Sequence, residues 1–233
     1  MQHEITTVRP LLDSRGVLLE PGYSKGLLPQ YSRSAIKGGA LRIKEWDYYL
    51  ITCDDFAVAL TIADNSYMGL DSISLLDFRI PWEHTTSPIS FLTLGKRNFP
   101  SSSASGNVKS GGRHHKISFE HHGDYRLLTF HMDKFFDGKP IDGEIRLENP
   151  PQESMVIVTP FAEKKTAFYL NQKINCMPAS GAAYFDGKTY RFEPGASFAV
   201  LDWGRGVWTY KNTWYWGSAS GLVDGVPFGW NIG

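Results

Sequence analysis

The stretch Ala183-Tyr184-Phe185-Asp186-Gly187-Lys188-Thr189-Tyr190-Arg191-Phe192 decides the fold. It places Asp-Gly between two short runs rich in aromatic residues, which is the strongest short-range signal for a β-hairpin. Short alternating runs bounded by turn residues recur from Leu41 to the end of the sequence, whereas helical periodicity is hard to find. The sequence therefore predicts an all-β protein.

The predicted strands follow one another as an antiparallel meander. Short antiparallel strands that follow one another at the regular spacing seen here are typical of a barrel or a sandwich. The predicted strands are Arg42 to Thr52, Phe56 to Ala63, Ser72 to Phe78, Ile117 to His121, Tyr125 to Phe135, Glu144 to Leu147, Met155 to Thr159, Ala167 to Ile174, Ala183 to Phe185, Thr189 to Phe192 and Phe198 to Trp203.

Composition excludes several classes of function. Lys+Arg and Asp+Glu both number 24, and this neutral balance lacks the basic footprint that non-specific nucleic-acid binding needs. No apolar run approaches the length of a membrane-spanning helix, and residues Met1 to Gly16 carry no signal-peptide pattern. The only cysteines, Cys53 and Cys176, are too few for a disulfide framework. We therefore expect a cytoplasmic protein with no nucleic-acid partner and no membrane span.

Histidines gather around one predicted hairpin but do not predict a metal site. Six residues of a strand span about 20 Å, which exceeds the reach of one metal ion. No cysteine or carboxylate completes an evident ligand set, so neither a metal nor another cofactor is expected. The histidines are His114, His115, His121, His122 and His131.

The predicted strand from Arg42 to Ile51 carries charge on both faces. Charges buried in a barrel must be paired or hydrogen-bonded, so this strand predicts an internal salt-bridge network or a polar patch in a ligand cavity. Charges at the rim of the barrel are a third interpretation. Glu45 and Asp47 lie about 6.6 Å apart along the strand, a separation at which one carboxyl acts as an acid and the other orients it.

The densest feature is the tryptophan-rich segment from Leu201 to Gly221. Asp202 and Arg205 are inserted among its aromatic residues, either as a pair across a turn at Gly204 or as two contacts to a polar ligand group. Trp214 and Trp216 are predicted to share one strand face as an apolar wall, although tryptophans supply core area equally well. The candidate ligand-binding residues are Trp46, Trp203, Arg205, Trp208, Tyr210, Trp214 and Trp216.

Three blocks of the sequence resemble the uncharacterised microbial family named domain of unknown function 2804. The blocks are Arg42 to Ile51 (RIKEWDYYLI), Thr61 to Tyr67 (TIADNSY) and Leu201 to Gly221 (LDWGRGVWTYKNTWYWGSASG). The opening segment, Gly16 to Lys37, also fits. The strand pattern, which begins at Leu41, predicts an irregular N-terminal extension over residues 1–40 and a β-barrel domain over 41–200. Chains of that family usually continue further, so the resemblance implies that residues 201–233 are the start of a second, truncated β-domain.

More distantly, the Asp-Trp-Gly and Trp-x-Trp elements are similar to those of the carotenoid hydratase and AttH-like group. This similarity implies a lipocalin-like, calycin-type fold. Relatives in that group add water to isoprenoid double bonds or assist cyclisations. Their usual Asp-His pair is Asp202-Trp203 in this sequence, so the proton-transferring histidine of the group is absent there.

Three functional hypotheses follow. The first is a binding protein whose cavity, walled by tryptophans, holds an apolar or amphipathic small molecule such as a lipid or isoprenoid. The second is a metal-independent hydratase or isomerase in which Glu45, Asp47 or Asp202 donates a proton from an apolar site. The third is a structural module that self-associates through its exposed C-terminal aromatic segment.

Overall fold

The computed structural model describes residues 2–150 and 153–232. Two short 3₁₀ helices, Arg33–Ala35 and Ala40–Arg42, precede the main strands. The described strands are β1 Arg9–Pro10, β2 Gly22–Ser24, β3 Pro29–Gln30, β4 Ile43–Thr52, β5 Phe56–Asp64, β6 Met68–Asp77, β7 Trp82–Thr86, β8 Ile89–Phe91, β9 Val108–Gly111, β10 His115–His121, β11 Tyr125–Phe136, β12 Lys139–Glu148, β13 Met155–Pro160, β14 Phe168–Phe185, β15 Lys188–Phe192, β16 Phe198–Val207, β17 Gly217–Val223 and β18 Val226–Ile232.

The main sheet is antiparallel, which confirms the predicted fold class. Its hydrogen-bonded path runs β7-β6-β5-β4-β16-β14-β12-β11-β10-β9. Strands β7 and β9 end this path, and no pairing joins them among the residues that are described. The sheet is therefore not closed into a barrel, and its two halves face each other as in a sandwich. Within the described ranges, no helix is long and apolar enough to cross a membrane.

Strand β14 forms the corner between the two halves of the sheet. Its first part pairs with β13 and β16, and its second part pairs with β12 and β15. The register shifts between Ile174 and Met177, where Cys176 adopts a φ of 55°. Gly181 has a φ of 127° and passes close to the Glu144 backbone, which leaves no room for a side chain. Such irregularities let one strand serve two layers.

The core fills the space between the two layers. The rings of Tyr49 on β4 and Phe119 on β10 lie 4.8 Å apart, and the ring of Phe56 on β5 lies 4.9 Å from that of Phe192 on β15. Fully buried aliphatic side chains of β4, β5, β6, β11 and β12 surround these contacts. Aromatic and aliphatic packing from both layers therefore stabilises the fold.

Strands β4 and β16 lie side by side and carry polar residues on both faces. Residues 45, 47 and 49 of β4 and residues 201, 203 and 205 of β16 point to the core, which we term the inner face. Residues 46 and 48 of β4 and residues 202, 204 and 206 of β16 point away from it, which we term the outer face. The predicted start of a second domain at residue 201 falls inside β16.

The end of the chain, residues 208–232, covers part of the outer face, and we term it the covering segment. After β16, residues 208–216 form no regular element, and the β17–β18 hairpin then packs on β14. The Asn175 side-chain amide donates to Ser218 Oγ at 3.0 Å and to the Ala219 carbonyl at 2.9 Å. Trp214 and Trp216 precede β17, so the expectation that they share one strand face is wrong.

Candidate functional site

A cavity of about 640 Å³ lies between the outer face and the covering segment. This volume falls in the range of small-molecule sites. Four of the predicted ligand-binding tryptophans and the predicted acid Asp202 line it. Its lining residues are Gln2, Trp46, Met155, Ile157, Thr159, Phe161, Tyr169, Lys173, Asp202, Trp208, Asn212, Thr213, Trp214, Tyr215, Trp216, Asn231 and Ile232.

Aromatic rings in contact with one another form one wall of the cavity. The Trp46 ring stacks on Tyr169 with centroids 6.0 Å apart, and Trp208 meets both rings edge-on at 5.7 and 5.4 Å. Trp214 meets Trp208 edge-on at 4.6 Å. The Trp46 ring lies across Gly204, where a Cβ would overlap it. Gly204 therefore makes room for the wall and forms no turn, contrary to the sequence expectation.

A lysine and an aspartate form the polar part of the cavity. Lys173 on β14 and Asp202 on β16 are register partners, and Lys173 Nζ lies 2.8 Å from Asp202 Oδ1. The Asn171 amide donates to the same oxygen. Lys173 Nζ also lies 4.2 Å from the centre of the Trp216 ring. Burial lowers the pKa of Lys173, and the carboxylate of Asp202 opposes this effect.

Two phenol groups adjoin this pair. Burial, with a smaller effect of Asp202, raises the pKa of Tyr48 to about 12, and the same causes raise the pKa of Tyr169. Both hydroxyls therefore stay protonated at neutral pH, and of the two residues Tyr169 lines the cavity. Tyr48 meets Trp216 edge-on at 5.9 Å. The cavity thus combines apolar walls with a small number of polar groups.

Trp203 and Arg205 lie on the inner face, away from the cavity. Arg205 is fully buried, and its Nη1 lies 3.0 Å from Asp47 Oδ1 and 2.8 Å from the Trp46 carbonyl. The guanidinium stacks at 4.0 Å on the Trp203 ring, which is also fully buried. The interpretation of Asp202 and Arg205 as a pair is therefore wrong, because residues three positions apart on one strand point to opposite faces.

Glu45 and Asp47 also lie on the inner face, in ion pairs. Glu45 is buried and accepts hydrogen bonds from Arg33 and, at 2.8 Å, from the Tyr31 hydroxyl. Burial raises the pKa of Asp47, and Arg205 opposes this effect. The carboxyls of this strand therefore belong to an internal salt-bridge network, and not to a polar patch in the ligand cavity or to charges at a rim. The cavity contains neither carboxyl, so Asp202 is the one candidate acid of the three that lines it.

The covering segment leaves several large side chains in solvent. Tyr210 is 90% exposed and does not line the cavity, and the Arg42 guanidinium lies 4.2 Å above its ring. Tyr215 is 84% exposed, and Val226, Phe228 and neighbouring apolar residues of the hairpin are also exposed. Self-association through this segment stays a prediction.

Sequence reasoning missed Lys173, Asn171 and Tyr169. All three lie on one face of the predicted strand Ala167 to Ile174, at alternate positions, and the residues between them are the apolar Leu170 and the polar Gln172. Strand β4 likewise carries polar residues among apolar ones. This pattern in the sequence indicates a second strand with polar residues on its faces. What the sequence does not supply is the register that places Lys173 beside Asp202, because the two residues are separated by a corner and a hairpin.

The model of the family described as Domain of unknown function (DUF2804) matches residues 2–233. The chain belongs to this family. The resemblance in the three sequence blocks is thereby confirmed. A search of curated proteins gave no match to the chain.

Two solved structures resemble this DUF2804 chain. An AttH-like protein from Nitrosomonas europaea has a TM-score of 0.52 at 12% identity, over 82% of this chain and 60% of the other. Kievitone hydratase from Nectria haematococca has a TM-score of 0.42 at 14% identity, over 83% of this chain and 56% of the other. The chain therefore spans less than two thirds of the length of either protein. Similarity to the AttH-like protein supports the fold alone.

Proposed function

We propose that the chain binds an apolar or amphipathic small molecule in the cavity on the outer face. The observation that carries this proposal is the continuous aromatic wall beside one buried ion pair. Apolar walls with a few fixed polar groups are typical of small-molecule sites. If this region were part of the hydrophobic core, side chains would fill it at close-packed density. Instead, about 640 Å³ is open.

Tryptophan fluorescence tests this proposal directly, because four tryptophans line the cavity. The probes are isoprenoid alcohols and fatty acids of increasing chain length. We expect saturable quenching or a shift of the emission maximum, with affinity that rises by about 0.8 kcal/mol for each buried methylene. The absence of any spectral change with all of these probes refutes the proposal.

Two variants test whether the probes bind in this cavity. Trp214→Ala removes a wall residue that is 64% exposed, so the fold tolerates the change, and we expect weaker binding. Tyr184→Ala on the distant part of β14 removes a side chain of similar exposure, 51%, and serves as the control. Equal affinity of both variants and the parent protein would mean that the probes bind elsewhere.

A second candidate function is metal-independent acid–base catalysis of the hydratase or isomerase type. The specific observation in its favour is the placement of Asp202 between apolar walls with a lysine at 2.8 Å. A carboxyl and an amine at hydrogen-bond distance exchange a proton readily, as general acid–base catalysis requires. The inner-face ion pairs of Glu45 and Asp47 favour Asp202 over these two carboxyls as the acid.

Mass spectrometry of isoprenoid alkenes after incubation with the protein tests this candidate. A hydratase increases the substrate mass by one water, and an isomerase changes chromatographic retention at constant mass. We expect Asp202→Asn to abolish either product while tryptophan quenching by the same alkene persists. Product formation that is unchanged in Asp202→Asn would exclude Asp202 as the acid.

A further inference from the structure

The Lys173 amine is unusual because it is buried in a cavity wall and not in the packed core. The Lys173 side chain is 6% exposed, yet the residue lines the cavity beside the tryptophan wall. Buried ion pairs are often replaced by apolar residues without loss of stability, so packing alone does not require this pair. An amine held beside an apolar site is the arrangement that amine nucleophiles use toward carbonyl compounds.

We propose that Lys173 captures the carbonyl group of an amphipathic aldehyde or ketone as an imine inside the cavity. This inference rests on the proposed binding function and names the ligand class that the same site takes. The aromatic wall binds the apolar part of the molecule, and the carbonyl carbon then lies within reach of Lys173 Nζ.

Three features of the site suit this reaction. Burial favours the neutral amine, which is the nucleophilic form of Lys173. Asp202 lies at 2.8 Å and takes up the proton that the amine loses. Lys173 and Asn171 both donate to Oδ1 of Asp202, and Asp202 itself lines the cavity, which places its carboxylate beside the reacting group.

The reaction balances without a further reagent. The nitrogen lone pair forms a bond to the carbonyl carbon as the C=O π electrons move to oxygen, and one proton passes from this nitrogen through the Asp202 carboxylate to the oxygen. The second nitrogen proton then passes by the same route to the new hydroxyl group, which leaves as water while the C=N bond forms, so Asp202 ends as a carboxylate beside a neutral imine. When the imine is protonated, Asp202 is its counter-ion and the Trp216 ring, now 4.2 Å from Nζ, stabilises the positive charge.

Trapping with sodium cyanoborohydride tests the proposal. The full chain is incubated with dodecanal and the reductant, and intact mass and peptide mapping then locate the secondary amine. We expect one dominant adduct at Lys173. Lys44 is the internal control. It is half-buried and burial also lowers its pKa, but it does not line the cavity. Binding in the cavity should favour Lys173 over Lys44 by about tenfold or more.

Two variants separate a chemical role of the amine from a structural one. Lys173→Arg keeps a positive charge beside Asp202 but forms no imine, so we expect loss of the adduct while Lys44 is still labelled. Lys173→Met also removes the adduct and leaves Lys44 labelling unchanged. Dodecanol quenching without a Lys173 adduct in the parent protein overturns this inference and leaves the binding function standing. Absence of quenching by both dodecanol and dodecanal overturns the binding function itself.

Discussion

Gly204 controls the position of the aromatic wall. A Cβ at residue 204 would overlap the Trp46 ring, with ring atom Cη2 at 2.5 Å, well inside the contact distance of about 3.5–4 Å between carbon atoms. The Gly204 backbone is ordinary strand, so Gly204→Ala acts only through this overlap. Forcing a methyl group into packed structure costs about 1–3 kcal/mol. Displacement of Trp46 from Tyr169 adds about 0.5–1.5 kcal/mol of lost ring contact.

A double-mutant cycle measures this steric effect. Chemical denaturation followed by far-UV circular dichroism gives the free energy of unfolding of the parent, Gly204→Ala, Trp46→Ala and the double variant. We expect Gly204→Ala to be nearly neutral once the Trp46 ring is gone, so the coupling energy equals the total of these two costs, about 1.5–4.5 kcal/mol. Gly26→Ala, where nothing lies within 4 Å of the new Cβ, is the neutral control. A coupling energy below about 0.5 kcal/mol would refute the reasoning, because independent sites add to that precision.

Three further predictions concern other parts of the fold. Asp47→Ala leaves the fully buried Arg205 guanidinium without its carboxylate, and we expect denaturation to show a loss of about 3–5 kcal/mol that Arg205→Met partly reverses. Two aspartates raise the pKa of His131 above its ordinary value of 6.5, so its stabilising contribution is complete below that pH and is lost as the pH rises through the raised pKa. The denaturation midpoint of His131→Gln should therefore fall less with rising pH than that of the parent. A thiol-reactive disulfide reagent should label the half-buried Cys53 rapidly. It should label the buried Cys176 only at the rate at which this part of the protein unfolds, and equal labelling rates would contradict this.

The strands with regular alternation could be predicted closely from the sequence. The prediction Arg42 to Thr52 corresponds to β4 at Ile43–Thr52, and Phe56 to Ala63 corresponds to β5 at Phe56–Asp64. Turn residues flank both runs, so local propensity and burial agree there. The long strand β14 was instead predicted as two short strands. Its bulge at Cys176 interrupts the period of two on which sequence reasoning depends.

The sequence predicts which residue types form the site, but it does not predict which of these residues lie on the inner face and which on the outer face. The tryptophan-rich segment and Asp202 do line the cavity, whereas Arg205 and Trp203 belong to the core. Gly204 suggested a turn, yet it lies within a continuous strand because its missing side chain accommodates Trp46. A glycine that permits a turn and a glycine that permits close approach look identical in sequence. Only the register of neighbouring strands distinguishes them.

The two ion pairs beside β16 differ in a way that suits different tasks. Arg205 pairs with Asp47 on the inner face, where a guanidinium keeps its charge at any ordinary pH and fills the space with several hydrogen bonds. Lys173 pairs with Asp202 on the outer face, next to open volume. Burial lowers the pKa of an amine and so favours its neutral form, whereas a guanidinium stays protonated. The chain therefore places the group that can change its protonation state beside the cavity, and the group that cannot in the core.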